Sequence, residues 1–155
     1  IAQNRVIGKN GYVPWRIPED MRHFKDLTLN HSVIMGRVTY FSIPEKLRPL
    51  SKRENIVITR SDQLQFPQEV VIAHSLEDAL KKATRKDEIF VMGGAQIYAE
   101  SNRKFASKMY ITEMHQGYEG DVLFPDFNSL EWKETARKEH PEFDFVEYKR
   151  TYWSA

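Results

Sequence analysis

The sequence predicts an α/β fold, a single domain with a central, mainly parallel mixed β-sheet flanked by helices and antiparallel strands at its C-terminal edge. Three observations point there. Short β-branched runs alternate with segments of helical periodicity along the 155 residues, as in parallel strands joined by helical crossovers. Two of the apolar runs, Val33-Ile34-Met35-Gly36 and Val91-Met92-Gly93-Gly94, break in glycine just before a helical stretch. Near the C-terminus, Trp132 to Glu139 and Phe143 to Trp153 read as two long antiparallel strands joined around Pro141.

Each element has a local cause. Pro18 suits a helix start, because its fixed φ fits the first turn and its missing N–H is no loss there. Ile17, Met21, Phe24 and Leu27 follow at helical spacing and define one apolar face. Ser32-Val33-Ile34-Met35, Asn55-Ile56-Val57-Ile58-Thr59 and Glu69-Val70-Val71-Ile72-Ala73 are strands bounded by turn or polar residues. Ser75 caps the next helix, with an acid three residues on and Leu76, Ala79, Leu80 and Ala83 on its buried face. Glu88 to Met92 is a further strand, Gly93-Gly94 a turn, and a helix begins at Ala95; Lys108 to His115 is a strand.

Composition excludes several functional classes. Hydrophobic residues at 41% and charged residues at 29% are ordinary for a globular protein, and the net charge of +1 argues against a strongly basic nucleic-acid binder. The chain has no cysteine, so it has no disulfide, thiolate metal site or cysteine nucleophile. That usage fits a reducing compartment, and no apolar run approaches a membrane span, so a cytoplasmic location is expected. His31, His74, His115 and His140 show no metal-ligand spacing. Lys81-Lys82, Arg85-Lys86 and Arg103-Lys104 read as solvated charge.

Three places look chemical. Asp20 lies in the first helical turn at the edge of the apolar face, between Trp15 and Phe24. A carboxylate there suits a flat, cationic, amidine-like heterocycle, although an acid at a helix start is also common for purely structural reasons. After Met35, Gly36-Arg37-Val38-Thr39 leads into a helix whose free N–H groups, with Arg37 and the Thr39 hydroxyl, would seat a phosphate. Gly93-Gly94-Ala95-Gln96 repeats that arrangement. Glycine after a strand is usually only a turn, but two such seats at strand carboxyl ends suggest a dinucleotide. The spacing is not G-x-G-x-x-G, which disfavours an ordinary Rossmann domain.

The order of the blocks adds more. From Ile1 to about Trp153 the chain resembles dihydrofolate reductases. The shared blocks are Val6-Ile7-Gly8, Pro14-Trp15, Pro18-x-Asp20, Phe24-Lys25, Val33-Ile34-Met35-Gly36-Arg37-x-Thr39, Arg53-x-Asn55-Ile56, Gly93-Gly94-Ala95-x-Ile97-Tyr98, Tyr110-x-Thr112 and Gly120-Asp121-x-x-Phe124-Pro125. The resemblance implies NADPH-dependent reduction of 7,8-dihydrofolate to tetrahydrofolate, by hydride transfer to pterin C6 and protonation of N5. It implies that Asp20 grips the pterin, with Thr112 in support and Trp15 holding an ordered water. Phe24 and Ile43 would sandwich the substrate rings, Leu50 would line the aminobenzoyl pocket, and Arg53 would bind the α-carboxylate. Ile7, Gly8, Gly36, Arg37, Thr39, Gly93, Gly94, Ala95 and Gln96 would hold the cofactor. Met92 and Tyr98 would lie near the nicotinamide, with Tyr98 also on the substrate side, and Thr59 and Arg60 at the adenosine 2′-phosphate.

A cis peptide between Gly93 and Gly94 is also implied, with Gly94→Ala expected to damage cofactor binding more than its small volume suggests. No second carboxylate or histidine is placed to protonate N5, so water admitted beside a flexible Lys9–Val13 loop is the expected donor, with Gly120-Asp121 either packing on that loop or forming an ordinary turn. Val38 and Gln96 depart from the family's usual polar or basic residues, leaving Arg37 and Arg60 as the main cations at the cofactor. The chain opens at Ile1, so the first few residues of the family's N-terminal strand are expected to be missing from it. A monomer without nucleic-acid or membrane partners is expected. The competing readings are a pyrimidine reductase of flavin biosynthesis, which would not need Pro18-x-Asp20 together with Arg53, and a non-catalytic nucleotide-binding module. A structural protein would need neither glycine-bearing strand end.

Overall fold

The apolar runs form a parallel sheet, buried at its centre and half-buried at its edges, as continuous hydrophobic strands tend to do. The computed structural model describes residues 1–60 and 65–153. In chain order the elements are β1 (Val6–Gly8), α1 (Pro18–Thr28), β2 (Ser32–Gly36), α2 (Arg37–Ser42), a 3-10 turn (Glu45–Leu47), β3 (Glu54–Ile58), β4 (Val71–Ala73), α3 (Leu76–Lys82), β5 (Ile89–Val91), α4 (Ala95–Lys104), β6 (Lys108–Met114), β7 (Val122–Leu123), β8 (Trp132–Glu139) and β9 (Phe143–Arg150). They fall into two compact units, one of residues 1–16 and 99–155, the other of residues 17–98.

The second unit carries the parallel sheet, in the order β4-β3-β2-β5. Ile34 pairs with Ile56 on one side and Val91 on the other. Because strand residues alternate between faces, Val33, Met35 and Val57 pack with Tyr40, Phe66 and Val70. Ile34, Ile56 and Ala73 pack with Leu76, Ala79 and Ala83 of the opposite layer. Ser75 caps α3 as expected, its side chain accepting from the Asp78 N–H. β4 is shorter than expected because Val70 closes a turn on the Pro67 carbonyl. The lysines of α3 are spent locally: Lys81 pairs with Glu77 at 3.4 Å and Lys82 with Asp78 at 3.3 Å.

The first unit holds the antiparallel strands, in the order β6-β9-β8, and the short pair β1-β7. The β8–β9 hairpin forms around Pro141 as expected, although β9 ends at Arg150, whose guanidinium lies over the Trp132 and Trp153 rings. Ile1 donates to the Thr112 carbonyl and accepts from the Met114 N–H, the pattern of a parallel bridge. Lys9 and Tyr12 exchange both backbone hydrogen bonds around Asn10 (φ 52°) and Gly11 (φ 84°). This is a two-residue type I′ hairpin, a turn as the residues of the segment suggest. Gly120-Asp121 packs against it: Asp121 donates to the Gly8 carbonyl at 3.0 Å, and Lys9 pairs with Glu119 at 3.4 Å.

A charged cluster closes the antiparallel sheet. Arg137 on β8 bonds Glu113 of β6, Glu134 of β8 and Asp144 of β9. Beside it, His115 Nε2 lies 2.9 Å from Asp144 Oδ1 and its Nδ1 lies 3.1 Å from the Pro141 carbonyl. Both partners accept, so only the imidazolium can donate to both. The Asp144 bond first, then the Pro141 carbonyl, raise the His115 pKa above its ordinary value. A group whose folded-state pKa is raised stabilises the fold below its unfolded value, about 6.5, and ceases to as the pH rises through the folded value. His115→Gln is therefore expected to cost most stability in mildly acidic solution, with the difference from the parent shrinking as pH rises. Urea unfolding across a pH series checks this, and a difference independent of pH contradicts it.

Candidate functional site

Asp20 sits where the sequence places it. Pro18 opens α1, Ile17 is the N-cap residue, and the Asp20 N–H donates to the Ile17 carbonyl at 3.1 Å. Asp20 and Phe24 are half-buried, but Met21 of the expected apolar face is 54% exposed. Thr28 is buried instead. Its hydroxyl bonds the Phe24 carbonyl at 2.8 Å, which lets a polar side chain enter the interior at the helix end. The same oxygen accepts from Arg53 Nη1 at 3.1 Å.

Arg53 is the other pole of this arrangement. Its Nε donates to the Ser51 carbonyl at 2.9 Å and its Cζ lies 6.0 Å from the centre of the Phe24 ring. Burial lowers its pKa. Among the described residues no carboxylate forms an ion pair with it, so a half-buried guanidinium keeps donors for an anion. Asn55, to which the sequence reading gave no role, holds the preceding loop. It accepts from the Leu50 N–H at 2.8 Å and donates to the Leu50 and Arg53 carbonyls at 2.9 and 3.0 Å. Leu50 and Ile43 both pack on the Val33–Met35–Val57 layer.

The two glycine-bearing strand ends meet. Gly36 donates to the Gly93 carbonyl at 2.9 Å, and Met92 donates to the Ile34 carbonyl at 2.9 Å. The Gly93–Gly94 peptide is cis, as expected. A side chain is excluded at Gly93, not chiefly at Gly94. Gly93 has φ +125°, and a Cβ there would lie 3.2 Å from Thr39 Oγ1, whereas one at Gly94 would meet that atom at an ordinary 3.7 Å. At Gly36 a Cβ would lie 3.1 Å from Ile97 Cδ1, so the backbone-only surface extends across both turns. Ala95 opens α4, whose first-turn N–H groups lack intrahelical partners.

Around this seat Arg37 is exposed, with its guanidinium 5.1 Å from the Phe41 ring centre, and Val38 and Gln96 are also exposed. Tyr98 lies beside Gly93, and burial pushes its hydroxyl up to about 12. Thr59 is buried at the end of β3, its carbonyl 2.9 Å from His74 Nδ1, and Arg60 follows it on the surface. We expect Gly93→Ala to cost about 1–3 kcal/mol of stability through the forced backbone conformation, and Gly94→Ala markedly less. Thermal unfolding of the pair checks this, and equal losses would count against the assignment.

In the first unit, Trp15 stacks tilted on Tyr118 at 5.1 Å. Its indole Nε1 is buried with no hydrogen-bond partner. Such a donor calls for one, and an ordered water can supply it. Ile7 and Gly8 lie on β1 and Thr112 on β6, opposite Phe145. Among the described residues no His, Asp or Glu group is arranged to hold a metal.

Known proteins match this chain over nearly its full length. The family model described as dihydrofolate reductase matches residues 1–154. The dihydrofolate reductase type 3 of Salmonella typhimurium is 42% identical over 148 residues, covering 96% of this chain and 88% of that protein. The dihydrofolate reductase of Bacillus subtilis is 38% identical over 154 residues, covering 95% and 89%. That of Neisseria meningitidis serogroup B is 42% identical over 156 residues, covering 96% and 93%.

Proposed function

This chain belongs to the dihydrofolate reductase family, and from that membership we propose that it reduces 7,8-dihydrofolate to tetrahydrofolate with NADPH. One observation supports the substrate most directly. Asp20 stands in the first turn of α1, and Arg53, without a described carboxylate partner, is bonded to Thr28 at the other end. Asp20 and Thr28 are eight positions apart on α1, about 12 Å of helix rise, and Phe24, whose ring lies 6.0 Å from the Arg53 guanidinium, is midway along it. That arrangement fits an elongated molecule with a cationic heterocycle at one end and a carboxylate at the other.

The Asp20 oxygens would accept from the pterin N3–H and 2-amino group, a bidentate pairing suited to a carboxylate. Its fixed negative charge favours the ring as N5 gains a proton. Phe24 and Ile43 would flank the rings, Leu50 the aminobenzoyl group, and Arg53 the α-carboxylate. The joined glycine turns, which present backbone without side chains, together with Thr39 and the start of α4, fit a pyrophosphate. Gly36, Arg37, Thr39, Gly93, Gly94, Ala95 and Gln96 would hold it, with Met92 and Tyr98 at the nicotinamide and Thr59 and Arg60 at the 2′-phosphate. When bound, the cofactor supplies the hydride. Ile7, Gly8, Trp15 and Thr112 keep the roles that the resemblance implies for them. Arg60 makes NADPH the proposed cofactor over NADH.

The test is the loss of reduced-nicotinamide absorbance on adding dihydrofolate to enzyme and NADPH. No dihydrofolate-dependent oxidation would overturn the substrate, and equal rates with NADH would overturn the cofactor preference. We further propose a cytoplasmic monomer that binds no nucleic acid, which light scattering and nucleic-acid retention assays check. No described helix is long and apolar enough to cross a membrane.

A further inference from the structure

Arg48 lies in the loop between Ile43 and Leu50, and its partners are unusual for a half-buried arginine. Its Nη1 donates to the Ile43 carbonyl at 2.7 Å and to the Phe41 carbonyl at 3.3 Å. Its guanidinium lies 5.1 Å from the Phe41 ring centre and 5.8 Å from that of Tyr40. No described carboxylate forms an ion pair with it. Its charge is met by carbonyl oxygens at the C-terminal end of α2, the negative pole of the helix.

The last turn of that helix shows why these bonds matter. Ser42 Oγ takes the Thr39 carbonyl at 2.6 Å, and the Ile43 N–H takes the Tyr40 carbonyl at 3.2 Å. The Phe41 and Ile43 carbonyls are left for Arg48. A helix of six residues has little stability of its own, so the direction in which it delivers Ile43 depends on how its end is tied. Arg48 ties it from the same loop that ends in Leu50, and Asn55 ties Leu50 from β3. The two apolar side chains assigned to the substrate rings are thus braced at both ends of one loop.

We infer that Arg48 is a positioning residue that sets the Ile43 wall of the substrate pocket through the end of α2, and is not a receptor for the substrate's carboxylates. The inference rests on the assignment of Ile43 and Leu50 to the substrate rings. Its guanidinium is already committed to two carbonyls and two aromatic faces, whereas Arg53 has only neutral partners and retains donors for an anion.

The experiment compares the parent enzyme with Arg48→Met and Arg48→Lys, using dihydrofolate and the primary amide of dihydropteroate, which keeps both rings and carries no carboxylate. Arg48→Met is expected to raise KM for both substrates by about tenfold, with kcat and NADPH affinity held, because removing the donor leaves two carbonyls unmet and the wall displaced. Arg48→Lys keeps a charged donor for the Ile43 carbonyl and is expected to recover most of the loss. A KM effect confined to dihydrofolate would overturn the inference in favour of direct carboxylate binding. Equal losses in kcat and NADPH affinity, unrelieved by lysine, would overturn it in favour of general loosening. A second readout does not depend on activity. Amide exchange at Ile43 is expected to rise about tenfold in Arg48→Met, since its bond to Tyr40 frays when the turn is released. Unchanged exchange there overturns the inference even if the parent enzyme is active. Faster exchange in a protein inactive on both substrates would leave the brace standing and refute the proposed function instead.

Discussion

Asp20→Asn is expected to slow hydride transfer by about two to three orders of magnitude, the scale of losing one preorganised electrostatic contact to a developing charge. Asparagine keeps the size of the side chain, so α1 and its Pro18 start should stand. The carboxylate in the first turn also favours the helix, and its loss should cost only about 0.3–1 kcal/mol of stability. Chemistry suffers more. The amide offers one acceptor where the pterin presents two donors, and its NH2 group would face one of them. The fixed charge favouring protonation of N5 also disappears. NADPH affinity should stay nearly unchanged, because the glycine turns that would hold the cofactor lie on other elements. Single-turnover mixing of preformed enzyme–NADPH with dihydrofolate isolates this step. In the parent enzyme its rate should fall as pH rises, since N5 must acquire a proton. Near-normal turnover in the variant at neutral pH would refute the role of Asp20, and a flat pH profile in the parent would refute rate-limiting proton supply.

The sequence made some of this site visible and hid the rest for identifiable physical reasons. Strands inside a parallel sheet read as unbroken apolar runs, so both glycine-bearing ends are legible in the sequence. Pro18 and Ser75 announced their helices because initiation and capping are local chemistry. Met21 misled because periodicity marks a stripe without showing where it leaves the interior. Thr28, a polar residue, took the buried place because its hydroxyl is satisfied by the carbonyl of Phe24, four residues back. Lys9-Asn10-Gly11-Tyr12 reads as turn-prone, and Asn-Gly between Lys9 and Tyr12, which exchange backbone bonds, is the signature of a tight hairpin.

The loop between Ile43 and Arg53 was least legible. Arg48 and Asn55 hold it through side-chain bonds to backbone carbonyls and amides, and such bonds leave no periodic trace. The need for glycine at Gly93, as opposed to Gly94, was hidden for a related reason. It follows from φ +125° and the nearness of Thr39, which only the meeting of two strand ends creates.

Arg53→Ala should weaken dihydrofolate binding by about 2 kcal/mol, roughly thirtyfold, the lower end of the cost of truncating a buried charge partner because this guanidinium is only half-buried. The change also removes the donor to Thr28 Oγ1 and the cation beside Phe24. A shifted helix end would contribute to the loss, and the primary amide of dihydropteroate separates the causes. That amide carries no carboxylate for Arg53 to bind, so the variant and parent should bind it alike if the charge contact dominates. NADPH affinity should not change. Arg60→Ala should behave conversely: NADPH binding weakens, NADH and dihydrofolate binding hold, and the preference between the dinucleotides narrows. Its effect should be the smaller, because Arg60 is exposed at the end of β3 and an exposed charge interacts through screening solvent. For the same reason it should fade with added salt, while the Arg53 effect, partly shielded from water, should persist. Equilibrium titrations of both variants with each ligand at low and high salt make the comparison. If both substitutions weakened the same ligand, one of the two anion seats would be misplaced. If that ligand were dihydrofolate, the 2′-phosphate seat at Arg60 would be the assignment to abandon; if it were NADPH, the carboxylate seat at Arg53 would be.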